Sequence, residues 1–253
     1  MVLSENSFEN LEKLFNYLIN NNRFILNPEL DNFVITIADS AKNRRQIINK
    51  KTQFWRARIG HGPKLENNVI KGDLLTSAEM NAPPREKSLD GRANPKGISH
   101  LYLAEDQDTA IAETRPYIGA SLTLALFELK RDIAIVDIFT DTFSLEEYIK
   151  KKKNNAITIA EEEGLLWWGL NMYFSVPNIP DDNCSYIPTQ YVAELLKAKG
   201  YDGIKYGSAQ KRDKYNLVSF DPSLANQKKL ENESIAKICY TTSRQEMQER
   251  IHS

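Results

Sequence analysis

The sequence predicts an α+β fold: a mostly antiparallel sheet with inserted helices, behind an N-terminal helical extension. Three observations carry the prediction. Apolar residues in the first forty positions recur at helical spacing, short β-type runs separated by turns and brief helices begin near Thr52, and two further helical patterns follow residue 160.

Phe8, Leu11, Leu14, Phe15, Leu18 and Ile19 keep one face of a helix, with Asn6 or Ser7 as its cap and Asn20, Asn21 and Asn22 at its end. A second helix starts at Pro28, a favoured first-turn position, carries Leu30, Phe33, Val34 and Ile37 on one face, and fades in the basic run Lys42 to Arg45. Strands are expected at Gln53 to Arg56, Ser99 to Leu103, Ser121 to Leu129, Ile133 to Ile138, Asp202 to Tyr206 and Asn216 to Phe220. The later helices run from about Glu161 to Phe174 and from Thr189 to Lys199, the second closed by Gly200. Helical spacing in the first of these aligns Leu166, Leu170 and Tyr173 beside Trp167 and Trp168, which reads as core. Between Gly60 and Gly97 little periodicity survives, and a long irregular segment inside a domain usually serves function. The domain reading is residues 1–50 as the extension and 51–253 as the main domain.

Charge excludes several roles. Thirty-three basic residues against 34 acidic give a formal net charge of −1, with no general pull toward nucleic acid or membrane. Cys184 and Cys239 are far apart with no histidine beside them, so neither a disulfide framework nor a zinc site is expected. No stretch approaches the roughly 20 apolar residues that span a bilayer, and the first residues lack the basic and apolar regions of a signal peptide. A reducing cytoplasm is the expected location. GxGxxG, Walker, GxSxG and HExxH patterns are all absent, and His61, His100 and His252 are scattered like ordinary histidines.

What stands out is an ordered set of short patterns: FWRAR (Phe54 to Arg58), GRANPKG (Gly91 to Gly97), LYLAEDQDTAIAE (Leu101 to Glu113), YIPTQYVAE (Tyr186 to Glu194), DGIKYGSA (Asp202 to Ala209) and NLVSF (Asn216 to Phe220). This order resembles the RES domain, a family named for an arginine, a glutamate and a serine and best known as toxins of toxin–antitoxin pairs. The resemblance runs from Phe54 to about Tyr240 and puts the arginine at Arg56, the glutamate at Glu113 and the serine at Ser208, with Arg92, Tyr102 and Asn216 in the flanking motifs. GRAN carries alanine where many relatives have an aromatic residue. The resemblance implies an ADP-ribosyltransferase-like fold, small packed sheets forming a cleft, with helices around them.

The implied function is consumption of NAD, as substrate and without a metal, by cleavage of the bond between nicotinamide and ribose. Positive charge then develops on the sugar, and a nearby carboxylate, Glu113, stabilises it. Nicotinamide leaves as a neutral base, so no general acid is required. A guanidinium fork matches phosphate oxygens, which suits Arg56 first and Arg92 second to the pyrophosphate; Ser208 is expected to place the ribose, with Tyr102 and Asn216 in supporting binding roles. Taken singly, each residue has an ordinary structural reading: a strand arginine paired with a carboxylate, a solvated helix glutamate, a turn serine. Pro116 should end the helix just beyond Glu113. The acceptor is open between water, as in an NAD glycohydrolase, and phosphate, as in an NAD phosphorylase. The alternatives are transfer of ADP-ribose to a protein or nucleic acid, and a binding module without chemistry. An antitoxin and a second copy of the chain are the protein partners the resemblance implies.

Overall fold

The structure is a computed structural model that describes residues 6–60, 63–66, 69–72, 74–139, 143–154, 156–176 and 184–239, the second and third of these spans by backbone alone. His61 and His252 lie outside the described residues.

Helix α1 (Ser7–Asn20) forms on the predicted face, but the Asn6 side chain makes no cap hydrogen bond and the residue stands at φ 76°. A distant carboxylate takes that place, Glu162 accepting from the Ser7 N–H at 3.1 Å, where it also meets the positive end of the helix. Helix α2 (Pro28–Ser40) is capped by Asn27, whose side chain accepts from the Leu30 N–H, with Pro28 in the first turn as its fixed φ favours. The strands and helices that follow are β1 (Arg45–Ile48), β2 (Gln53–Ile59), β3 (Pro63–Glu66), β4 (Val69–Gly72), α3 (Ser77–Met80), β5 (Leu101–Ala104), α4 (Gln107–Glu113), β6 (Ser121–Leu129) and β7 (Ile133–Asp137). After these come α5 (Leu145–Lys153), α6 (Ile159–Ser175), α7 (Ile187–Ala198), β8 (Gly203–Gly207), β9 (Tyr215–Ser219) and β10 (Ala225–Ser234).

The fold is α+β, as predicted. Eight strands hydrogen-bond in the order β1-β7-β8-β9-β5-β2-β6-β10, and β3 and β4 form a separate hairpin. Every pairing in the large sheet is antiparallel except β7 with β8. The sheet nevertheless has two parts. β2 is laddered to β6 from Gln53↔Glu128 to Ile59↔Leu122, but meets β5 only at Trp55↔Ala104. A group of five strands and a group of three are therefore joined across a single residue pair, and the gap beyond that pair is the cleft described below.

Helices cover one face. Leu11, Leu14 and Ile37 of the N-terminal helices, Leu166, Trp167 and Leu170 of α6, and Ile204 and Val218 of the sheet are all fully buried in one cluster. Residues of α1 and α2 thus share a core with the strands. Contact between α1 and α6 is close because position 169 is glycine; a Cβ there would stand 2.7 Å from the Phe8 ring. The opposite face holds a second cluster around Phe54, Leu103, Phe127 and Ile135. Among the paired tryptophans, Trp167 is core as predicted, while Trp168 is half-buried and Tyr173 is 37% exposed against Phe15.

Candidate functional site

A cleft of about 460 Å³ opens where β2 and β5 part, and it is lined from β2, the Gly91–Arg92 turn, β5, α4, Tyr186, β8 and β9. Arg56, Arg92, Tyr102, Glu113 and Asn216 all line it, although up to 160 positions separate them in the chain. Ser208 does not line it and lies behind Glu113.

Glu113 is the last residue of α4, a short helix started by Asp106, whose side chain accepts from the Thr109 N–H at 2.7 Å. One carboxylate oxygen of Glu113, Oε1, accepts from the Ser208 hydroxyl at 2.6 Å and from the Asn216 amide at 2.8 Å. Asn216 stands opposite Tyr206 in the β8–β9 ladder, and Ser208 follows β8 directly, so the sheet fixes both donors. The Ser208 oxygen in turn accepts from the backbone N–H groups of Gln210 and Lys211, each at 3.2 Å. A hydroxyl has one proton to donate and two lone pairs to fill, so Ser208 is fully engaged without any ligand. Its geometry directs it to Glu113, where sequence reasoning expected it to reach a ribose.

The GRANPKG turn is built around Asn94 and Tyr102. The Tyr102 hydroxyl donates to Asn94 Oδ1 at 2.6 Å and accepts from the Ala93 N–H at 3.0 Å; burial pushes its pKa up. Gly91 is required here, since a Cβ would sit 2.7 Å from Asn94 Oδ1 and 2.8 Å from the Tyr102 oxygen. Gln190 of α7 clamps the same turn by donating to the carbonyls of Gly91 and Asn94, both at 3.0 Å. Arg92 is also held: Nη1 donates to the Val176 carbonyl at 2.5 Å and the guanidinium carbon lies 5.9 Å from the centroid of the Tyr186 ring.

Arg56 is different. Its Nη1 is buried with no hydrogen-bond partner among the described residues, and burial first, then the like charge of Arg58, pushes its pKa down to about 10. It still carries its proton near neutral pH. A buried guanidinium nitrogen without a partner costs stability, and an anion entering the cleft would satisfy it. Arg58 is less free, because its Nη1 donates to the Glu79 carbonyl at 2.6 Å.

Sequence reasoning assigned no role to Trp55, Arg58, Tyr186 or Tyr206, which also line the cleft. All four lay inside patterns already singled out, and alternation from Ile204 to Tyr206 was the readable signal that both face one side of β8. No group of three or more histidines, cysteines, aspartates or glutamates able to hold a metal occurs among the described residues, and none of their helices is long and apolar enough to cross a membrane.

The family model described as the RES domain matches residues 53–238. A search of curated proteins finds no match. Among solved structures, one chain in the crystal structure of the M. tuberculosis MbcT-MbcA toxin-antitoxin complex is similar with a TM-score of 0.42 and 12% identity, over 78% of this chain and 92% of that one.

Proposed function

This chain belongs to the RES-domain family, and on that premise we propose that it is an enzyme that consumes NAD by breaking the nicotinamide–ribose bond. The observation that carries the reading is the Glu113 carboxylate in the cleft, held through Oε1 by Ser208 and Asn216 while Oε2 accepts no hydrogen bond among the described residues.

In this reading the diphosphate of NAD pairs with Arg56, whose unpartnered Nη1 supports the assignment, with Arg92 as the second cation. The nicotinamide ribose then lies against Glu113. As the C1–N bond breaks, its electron pair leaves with the ring, the pyridinium nitrogen becomes neutral, and the positive charge passes to the ribose C1 and ring oxygen. Glu113 stabilises that charge. A lone pair of water, or of phosphate, forms the new C1–O bond, and an attacking water loses its proton to the solvent, since the departing nicotinamide does not take it up. Ser208 and Asn216 act as positioning residues, since both of their bonds converge on the carboxylate. Tyr102 shapes the turn that presents Arg92. A cavity of 460 Å³ falls within the roughly 300–1,000 Å³ common for small-molecule sites.

Within the cell, unrestrained turnover would drain NAD, so the chain acts as a toxin in this reading and needs a controlling protein of the antitoxin kind. Residues 51–253 form the catalytic domain in the same proposal, and the N-terminal helices complete its core. The test is chromatography of NAD incubated with the purified protein, with and without phosphate. Nicotinamide with ADP-ribose would mean water as acceptor, and nicotinamide with ADP-ribose 1-phosphate would mean phosphate. Folded protein that yields no nicotinamide under either condition overturns the reading.

A further inference from the structure

We infer that Asn171 of α6 is a positioning residue for the Glu113 carboxylate, acting from outside the cleft through Gly207 and Ser208; this rests on the NAD-cleaving reading above. The reason begins where β7 stops. Its pairing with β8 ends at Asp137↔Lys205, and the Ile138 N–H makes a last main-chain bond to the Lys205 carbonyl. Two residues on, Gly207 turns its N–H and carbonyl to the same edge of β8, because main-chain groups alternate sides along a strand. The other edge belongs to β9, and there the Ser208 N–H donates to the Lys214 carbonyl at 2.8 Å. Gly207 is buried, so its two groups need partners that β7 no longer offers.

Helix α6 supplies them. Asn171 Oδ1 accepts from the Gly207 N–H at 2.7 Å, and the Ser175 hydroxyl donates to the Gly207 carbonyl at 2.8 Å. Residues four apart lie one above the other on a helix, so these two side chains meet both groups of one residue, as a neighbouring strand would. The residue after Gly207 is Ser208, whose hydroxyl donates to Glu113 Oε1 at 2.6 Å. Neither Asn171 nor Ser175 lines the cleft, so their effect on the reacting atoms passes through Ser208. Val176, next on the chain, accepts from Arg92. The end of α6 therefore holds the carboxylate's support on one side and the second cation on the other.

The test is steady-state nicotinamide release from NAD by wild type, Asn171→Leu, Asn171→Asp, Ser208→Ala and the double variant of Asn171→Leu with Ser208→Ala, each checked for folding by thermal melting. Asn171→Leu removes the acceptor at similar size and should lower kcat roughly tenfold with KM within about twofold, the scale of stranding one buried donor. Asn171→Asp keeps an oxygen in the same place and should restore kcat to within about threefold of wild type. Because Asn171 acts through Ser208, the double variant should fall roughly tenfold, as either single variant does, whereas independent effects would multiply to roughly a hundredfold. Unchanged kcat in Asn171→Leu, a loss confined to KM, no rescue by Asn171→Asp, or multiplied losses in the double variant overturns this assignment alone, as long as wild type releases nicotinamide. Should Asn171→Leu fail to fold, Asn171→Ser enters the same cycle with the same expectation. If wild type releases no nicotinamide, the functional reading falls and this assignment with it.

Discussion

The two edges of strand β2 are built in opposite ways. Toward β6 it is laddered along its whole length, with Phe54 opposite Phe127 and both rings buried; toward β5 it keeps the single pair Trp55↔Ala104. On the first edge backbone groups satisfy one another and apolar side chains close over them. On the second the ladder stops, and the freed space is lined by arginines, tyrosines and a carboxylate. The difference teaches where function can be placed in such a sheet: the closed edge supplies rigidity, and the open edge supplies a cleft whose polar groups are held by neighbours from other elements.

The comparison can be broken hardest from the closed edge. Phe127→Ala should cost about 3–5 kcal/mol of stability, the usual effect of emptying a buried aromatic site, measured by denaturant unfolding. Activity per folded molecule should survive wherever the variant remains folded, because Phe127 is absent from the cleft lining.

Next in size is a pH effect just before β5, the strand across the open edge. His100 is buried against Phe220, 5.2 Å between ring centroids, and neither ring nitrogen has a hydrogen-bond partner among the described residues. Burial, then the charge of Lys197, lowers its pKa from 6.5 to about 4, so the folded state holds it neutral while the unfolded chain takes up a proton. The stability this protects is complete above pH 6.5 and is lost as pH falls toward 4, by about 3 kcal/mol in all. Urea midpoints at pH 7 and pH 4.5 for wild type and His100→Leu should show a smaller acid loss in the variant; parallel losses would contradict the assignment.

Arg56→Met separates the two edges further. Loss of the anion partner should raise the KM for NAD about thirtyfold or more, on the scale of a charge-assisted bond, while the melting temperature holds or rises because an unpaired buried nitrogen has gone. A melting temperature that falls with KM unchanged would make Arg56 a structural residue. The smallest effect is expected at Ser208→Ala, with kcat about tenfold lower and KM little changed, because the serine orients Glu113 without needing to touch substrate. A change confined to KM would return Ser208 to the ribose.

The legible parts of the fold are those with apolar periodicity. Helices α1, α2, α6 and α7 and strands β2 and β5 to β9 follow directly from patterns in the sequence. The edge strands do not. β1 reads RQII with three exposed positions, and β10 reads ANQKKLENES, polar along its length yet paired to β6 from Ala225 to Ser234 through main-chain bonds that no side-chain pattern announces. Helix α5 offered no apolar periodicity to read, because Tyr148 is its one buried residue. At the site, Arg56, Glu113, Ser208 and their neighbours were reached through resemblance; singly each had an ordinary explanation. The open seam between β2 and β5 is a fact of long-range register, which is why Tyr186, whose ring meets Arg92 from 94 positions away, gained no role from sequence alone.

The central claim is that Glu113 works at the open edge on the nicotinamide–ribose bond. It is tested most directly by nicotinamide release from NAD by wild type beside Glu113→Ala, both shown to be folded by thermal melting. The account predicts release by wild type and a fall of roughly a hundredfold or more in the variant, the scale of removing a group that stabilises transition-state charge. Equal release by both proteins would contradict it.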